Sequence, residues 1–146
     1  MKVLADTCVW SLALRRRNRA ALSDAERLMA ASLAEAIKDG RIVLIGPIRQ
    51  EILSGIKDPA QFEKLKSALE AFPDELLATV HYEEAARLFN LCRSRGVECG
   101  PVDILICAAA AREHWSILTL DRGLQRCVEV LKSDGPGVFS TSAQKP

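Results

Sequence analysis

Apolar residues recur along the chain in two rhythms. Short, nearly continuous apolar runs cover residues 2–5, 41–45, 77–82, 116–120 and 128–131. The first ends at Asp6, the second at Gly46 and Pro47, and the fourth at Asp121. Unbroken apolar runs, as opposed to strict alternation, suit strands buried on both faces of a parallel sheet. The third run, with Thr79 and Val80, favours extended chain, and the run at 128–131 reads as a fifth strand.

Between these runs the apolar positions fall three and four apart, the period of a helix with one buried face. Ser23 and Glu26 form a capping-box pattern ahead of Leu28, Met29, Leu33 and Ile37, and Gly40 follows the last turn. Pro47 opens a helix carrying Ile48, Ile52 and Ile56. Asp58-Pro59 caps another, with Phe62, Leu65, Leu69 and Phe72 on its inner stripe. Residues 83–95 form an amphipathic helix stopped by Gly96. The helix that begins at Pro101 and runs to Ala111 is apolar nearly all round and is therefore the most buried. Such alternation predicts an α/β domain: a central parallel sheet of four or five strands flanked by helices. It occupies residues 1–132, and the Ser/Gly/Pro-rich stretch at 133–146 reads as a flexible tail.

The bulk numbers exclude several classes. A chain of 146 residues, 49% hydrophobic and 27% charged, is an ordinary single globular domain. No apolar stretch reaches the roughly 20 residues that a membrane span needs. Asp6 lies too close behind Met1 for a secretory leader, so a cytoplasmic protein is expected. A net charge of +1 rules out nucleic-acid binding by bulk charge and leaves it to a local patch. Arg15, Arg16, Arg17 and Arg19 offer one, suited to RNA phosphates or an acidic partner, although charge runs are commonly solvated faces. Five cysteines without a CxxC pair suggest reduced thiols in preference to a disulfide framework or a zinc site.

Candidate chemistry comes from four acids. Asp6 and Asp121 each end a predicted strand; Glu51 and Asp103 each lie near the start of a helix opened by proline. In a doubly wound sheet these places share one edge, where ligands bind. Glu51 falls on a face with Ile48, Ile52 and Gly55, and Asp103 on one with Ile106, Cys107 and Ala110, so both project from apolar faces. Acids crowded in a partly buried site resist ionising unless a positive charge intervenes. No lysine or arginine takes a corresponding inward position. A hard divalent cation, Mg²⁺ or Mn²⁺, meets that need and supplies the water activation of phosphodiester hydrolysis. Taken singly, each acid has a plain structural explanation, as a helix-start or turn residue.

The motifs around these acids resemble the PIN-domain ribonucleases, and among them the VapC-type toxins. Asp6-Thr7-Cys8-Val9-Trp10 is similar to the opening motif of that family. Ile48-Arg49-Gln50-Glu51-Ile52 is similar to its second acidic motif, the stretch from Val102 to Ala108 to its third, and Leu118-Thr119-Leu120-Asp121 to its fourth. The resemblance implies a PIN-like three-layer domain and an Mg²⁺-dependent endoribonuclease, with Mn²⁺ as a substitute ion. Asp6, Asp103 and Asp121 would be metal ligands, Glu51 would complete the catalytic cluster, and the Thr7 hydroxyl would orient Asp6. Its partners would be RNA, a cognate antitoxin and a second copy of the chain. Trp10, Leu12 and Leu14, read as exposed apolar groups, point to the same homodimer. Two departures stand out. Cys8 replaces the usual Ser or Asn, and Gly123 replaces a further acid found in many members.

Three other readings compete. A phosphatase with an aspartate nucleophile needs a second aspartate two residues on, where Cys8 stands. A dinucleotide-binding fold lacks its GxGxxG after the first strand. A degenerate domain kept for RNA binding or scaffolding fits Gly123 but not the four acids. His81 and His114 lack a nucleophilic partner in any motif and read as structural.

Overall fold

The computed structural model describes residues 1–14 and 21–134. Strand β1 (Val3–Ala5) is central; β2 (Ile42–Val43) and β3 (Ser116–Leu118) pair with it in parallel on either side, giving the order β2-β1-β3. A parallel bridge between Leu44 and Asp74 extends the β2 edge, and the Glu75 amide donates to the Leu44 carbonyl. Among the described residues the sheet therefore has three strands where four or five were expected, while the α/β class with a parallel sheet flanked by helices stands.

Two expected strands are helical. Residues 77–82 run into α5 (Thr79–Ser94), where Val80 and Tyr82 are 41% and 53% exposed. The buried residues of that helix, His81, Ala85, Leu88 and Cys92, follow helical spacing. The helical stripe prevails over the β-branched composition because it buries one continuous face. His81 also closes the first turn: its Nδ1 accepts from the Ala78 amide, and its Nε2 lies 2.8 Å from Glu113 Oε1. Residues 128–131 fall inside α7 (Arg122–Ser133), whose buried Leu124, Cys127, Val128 and Leu131 repeat at the same period.

The other helices begin and end for the reasons their sequences suggest. Helix α2 (Asp24–Lys38) carries the complete Ser23–Glu26 capping box, and Gly40 follows it at φ +67°. Asp58 caps α4 (Pro59–Leu69) through the Gln61 amide, and prolines open α3 (Gly46–Leu53) and α6 (Pro101–Glu113). One group of helices joins α1 (Thr7–Leu14) to α2 and α3, and α3 to α4; the other packs α6 between α5 and α7. Every residue of α6 from Ile104 to Ala110 is buried, and Ile106 is wholly so. We expect Ile106→Ala to cost about 2–5 kcal/mol, from lost transfer energy and an unfilled cavity. Denaturant unfolding measures this, and a loss below about 1 kcal/mol would contradict the central place of α6.

Trp10 and Leu12 are not surface groups. Trp10 is 1% exposed and meets Phe72 edge-on at 5.1 Å, Leu12 is buried, and Leu14 packs against the core. The apolar face of α1 is thus spent on folding, which removes that argument for a dimer. The expectation of reduced thiols is also overturned, since Cys99 and Cys127 form a disulfide and Cys8, Cys92 and Cys107 are free. Packing of the segment before α6 against α7 brings together cysteines that are 28 residues apart. The arginine run at 15–19 and the tail from residue 135 lie outside the described residues. No described helix is long and apolar enough to cross a membrane.

Candidate active site

In the order β2-β1-β3, the chain leaves β1 toward one neighbour and later returns to its other side. Ligand crevices form at such a switch, beyond the strand C-termini. Asp6 follows β1 directly and Asp121 lies three residues beyond β3, so the topology sets both at that edge. Asp103 enters from the first turn of α6, and Glu51 from α3.

Asp6 lies deepest, at 5% exposure, and its carboxylate is held by three donors. The Thr7 amide donates to Oδ1 at 2.7 Å, and the Thr119 hydroxyl and Cys8 thiol donate to Oδ2 at 3.0 and 3.4 Å. The orienting hydroxyl is thus that of Thr119 and not that of Thr7, which donates to Glu51 Oε2 at 2.6 Å. Thr119 also accepts the Asp121 amide at 3.0 Å, linking the two acids through one side chain. The sequence reading passed over Thr119. Its position two residues before Asp121, at the end of a strand, was the available signal.

Asp121 caps α7: its Oδ1 accepts the amides of Gly123 and Leu124 at 2.7 and 3.1 Å. A Cβ at position 123 would stand 3.0 Å from that oxygen, so glycine there gives the cap its room. A further acid at 123 would force Asp121 to move. Cys8, the other departure from the family pattern, still supplies a donor to Asp6, through sulfur.

Exposure is graded across the group. Asp6 is buried, Asp103 half-buried, and Asp121 and Glu51 are exposed. Glu51 therefore leaves its apolar face at the rim of the site. Burial comes first in pushing Asp103 up to about 6, and the charges of Asp6, Asp121 and Glu51 follow. Burial also raises Asp6, against its three hydrogen bonds and with help from the Asp121 charge. That electrostatic coupling shows the four acids sharing one field. Among the described residues, no lysine or arginine forms an ion pair with any of them. Arg49, beside Glu51 in sequence, instead binds Asp74 at 2.8 Å and the carbonyls of Leu69 and Phe72. The donors are all oxygen and carry surplus negative charge, which is the chemistry of a hard divalent cation. Among the described residues no three of these carboxylates lie within 4.8 Å of one another, so an ion would have to draw them together.

A family model, the PIN domain, matches residues 3–129. The chain belongs to the PIN-domain family. PIN domains are in general nucleases and typically use divalent metal ions. Among solved structures, FitAcB from Neisseria gonorrhoeae is similar in fold, with a TM-score of 0.69, 20% identity, and coverage of 94% of this chain and 96% of that one. VapBC2 from Rickettsia felis, bound to a DNA fragment from its promoter, is similar with a TM-score of 0.68, 16% identity, and coverage of 97% and 98%. At such identities the likeness concerns the fold. No curated protein matches this PIN domain in sequence.

Proposed function

We propose that this PIN domain is an Mg²⁺-dependent endoribonuclease acting as the toxin of a toxin–antitoxin pair. The observation that carries the nuclease reading is the Asp6–Glu51–Asp103–Asp121 group, four acids with no cationic partner among the described residues and with Asp103 raised to about 6. Asp6, Asp103 and Asp121 would hold the ion, with Mn²⁺ able to replace Mg²⁺. A bound divalent ion stabilises charge on phosphoryl oxygens and lowers the pKa of water.

The chain's own residues supply the rest. Asp6 is fixed from three sides by Thr7, Cys8 and Thr119, so its oxygens hold one orientation. Asp103, half-buried and raised to about 6, ionises less readily than an ordinary carboxyl, and positive charge at the site would favour its charged form. Glu51, exposed and steadied by the Thr7 hydroxyl, would accept a proton from the attacking water.

The toxin reading draws on the fold shared with FitAcB and with the promoter-bound VapBC2. It brings with it a protein antitoxin, a homodimer and a cytoplasmic setting. Purified protein should cleave single-stranded RNA with Mg²⁺ or Mn²⁺ and stop in EDTA. Cleavage undiminished in EDTA would defeat the metal assignment. RNA binding without cleavage would favour a degenerate domain instead, the reading that Gly123 supports. Expression should inhibit growth, with relief by a neighbouring antitoxin gene, and normal growth would count against a toxin.

A further inference from the structure

A second set of metal-ligating side chains is buried away from the acids. Cys92 lies in the last turns of α5, Cys99 on the segment leading into α6, and Cys127 midway along α7. All three are buried, and their sulfurs lie within 4.8 Å of one another. Cys99 and Cys127 are bridged; Cys92 is a free thiol set against that bridge. Core packing alone does not require three sulfurs to converge from three separate elements.

We propose that Cys92, Cys99 and Cys127 form a soft-metal site, closed by the disulfide and opened by its reduction, that takes one zinc-class cation on three thiolates. Zinc–sulfur bonds of about 2.3 Å in tetrahedral array set sulfurs about 3.8 Å apart. The Cα atoms of Cys99 and Cys127 are 6.3 Å apart, so side-chain rotation suffices to part the two bridging sulfurs. Cys92 is already in range.

Reduction by a dithiol breaks the S–S bond. Each protein sulfur gains one electron and one proton, and the dithiol leaves as its own disulfide. Cation binding then releases three protons, one from each thiol. Three thiolates and one dication leave a single negative charge, and Arg95 lies close enough to Cys92 to favour its thiolate. Burial otherwise keeps that thiol protonated, so the cation itself must displace the proton.

A surface cleft of about 540 Å³ is lined by Arg93, Gly96, Val97, Glu98, Gly123 and Arg126. Arg93, Glu98 and Arg126 are the immediate sequence neighbours of Cys92, Cys99 and Cys127. The cleft thus lies beside all three cysteine-bearing segments, while the sulfurs themselves are buried, so reagent and cation must reach them through local opening. Among the described residues no fourth histidine, cysteine or acid joins the group, so the site has one place open to exchange.

The test uses the full chain, reduced with a dithiol, freed of reagent and metal, and titrated with Cd²⁺ or Zn²⁺ alone. The Asp103→Asn background weakens competition from the carboxylates. Reduced protein should bind one equivalent through sulfur, with a thiolate-to-cadmium charge-transfer band that excess Mg²⁺ leaves intact. The oxidised protein should show no band, and Cys92→Ala, which breaks no bridge, should weaken binding at least about 10-fold, the lower end for losing a metal-site partner. Cys127→Ala should do the same, with circular dichroism reporting its folding. No band in the reduced protein, or an equal band and affinity in Cys92→Ala, would overturn the proposal. Neither result touches the nuclease reading.

Discussion

Asp103→Asn is expected to lower RNA cleavage by more than about 100-fold, the usual scale for losing a positioned charge or proton-transfer group. The substitution is nearly isosteric and removes the charge that burial and the neighbouring Asp6, Asp121 and Glu51 charges all oppose. Position 103 is the cleanest place to make it. Among the described residues the Asp103 carboxylate takes no side-chain hydrogen bond, so an amide there meets no opposing donor. Asp6→Asn would be harder to interpret. Both Asp6 oxygens already accept donors, and an amide NH₂ would face the Thr7 amide or the Thr119 hydroxyl. Glu63→Gln, on the exposed side of α4, serves as a control that should leave the rate unchanged. Single-turnover cleavage of labelled RNA at saturating Mg²⁺ measures the effect. A rate within a few-fold of wild type would remove Asp103 from the site.

Without divalent ions the same variant should be the more stable protein. The ordinary carboxyl value for Asp103 is 3.8, and its folded value is about 6. Between those two values the folded chain binds more protons than the unfolded one, so wild-type stability falls as pH rises through that window and then levels. Asp6, also raised, acts in the same direction. Because Asp103 is only half-buried, solvent screening reduces the cost of its charge, leaving about 1–2 kcal/mol at neutral pH. That corresponds to a melting temperature higher by roughly 3–8 °C for Asp103→Asn in EDTA. Below the ordinary carboxylate range the difference should vanish, since the acid is then protonated in both states. Added Mg²⁺ should narrow or reverse the order, because only wild type gains the full binding energy. Thermal melts of both proteins, at low and neutral pH, with EDTA and with Mg²⁺, test each part. A wild type more stable than the variant in EDTA and unmoved by Mg²⁺ or Mn²⁺ would mean that the acids do not form a metal site.

Legibility in the sequence differed from element to element. The capping box of α2, the Asp58-Pro59 start of α4 and the all-round apolar α6 were readable because their signals lie within a few residues. Helices α5 and α7 were less so. Thr79 and Val80 favour a strand locally, and the 128–131 run is short enough to pass for one. Only a partner surface reveals that their buried positions repeat at helical spacing. Trp10 and Leu12 were misplaced for a similar reason, since nothing near them in sequence announces the groups that cover them.

The sequence by itself determined which acids are available and which helices and strand ends carry them. Backbone signals act over one or two turns, and these are recorded in adjacent residues. Sheet order alone decided how the acids meet. With β1 between β2 and β3, a hydroxyl 113 residues away reaches Asp6, and Thr7 turns to Glu51. The same packing set Cys92 beside the bridge between Cys99 and Cys127, three sulfurs whose spacing in the chain gave no sign of it. Such contacts depend on which surfaces bury one another, a property of the whole folded chain that no short stretch of sequence contains.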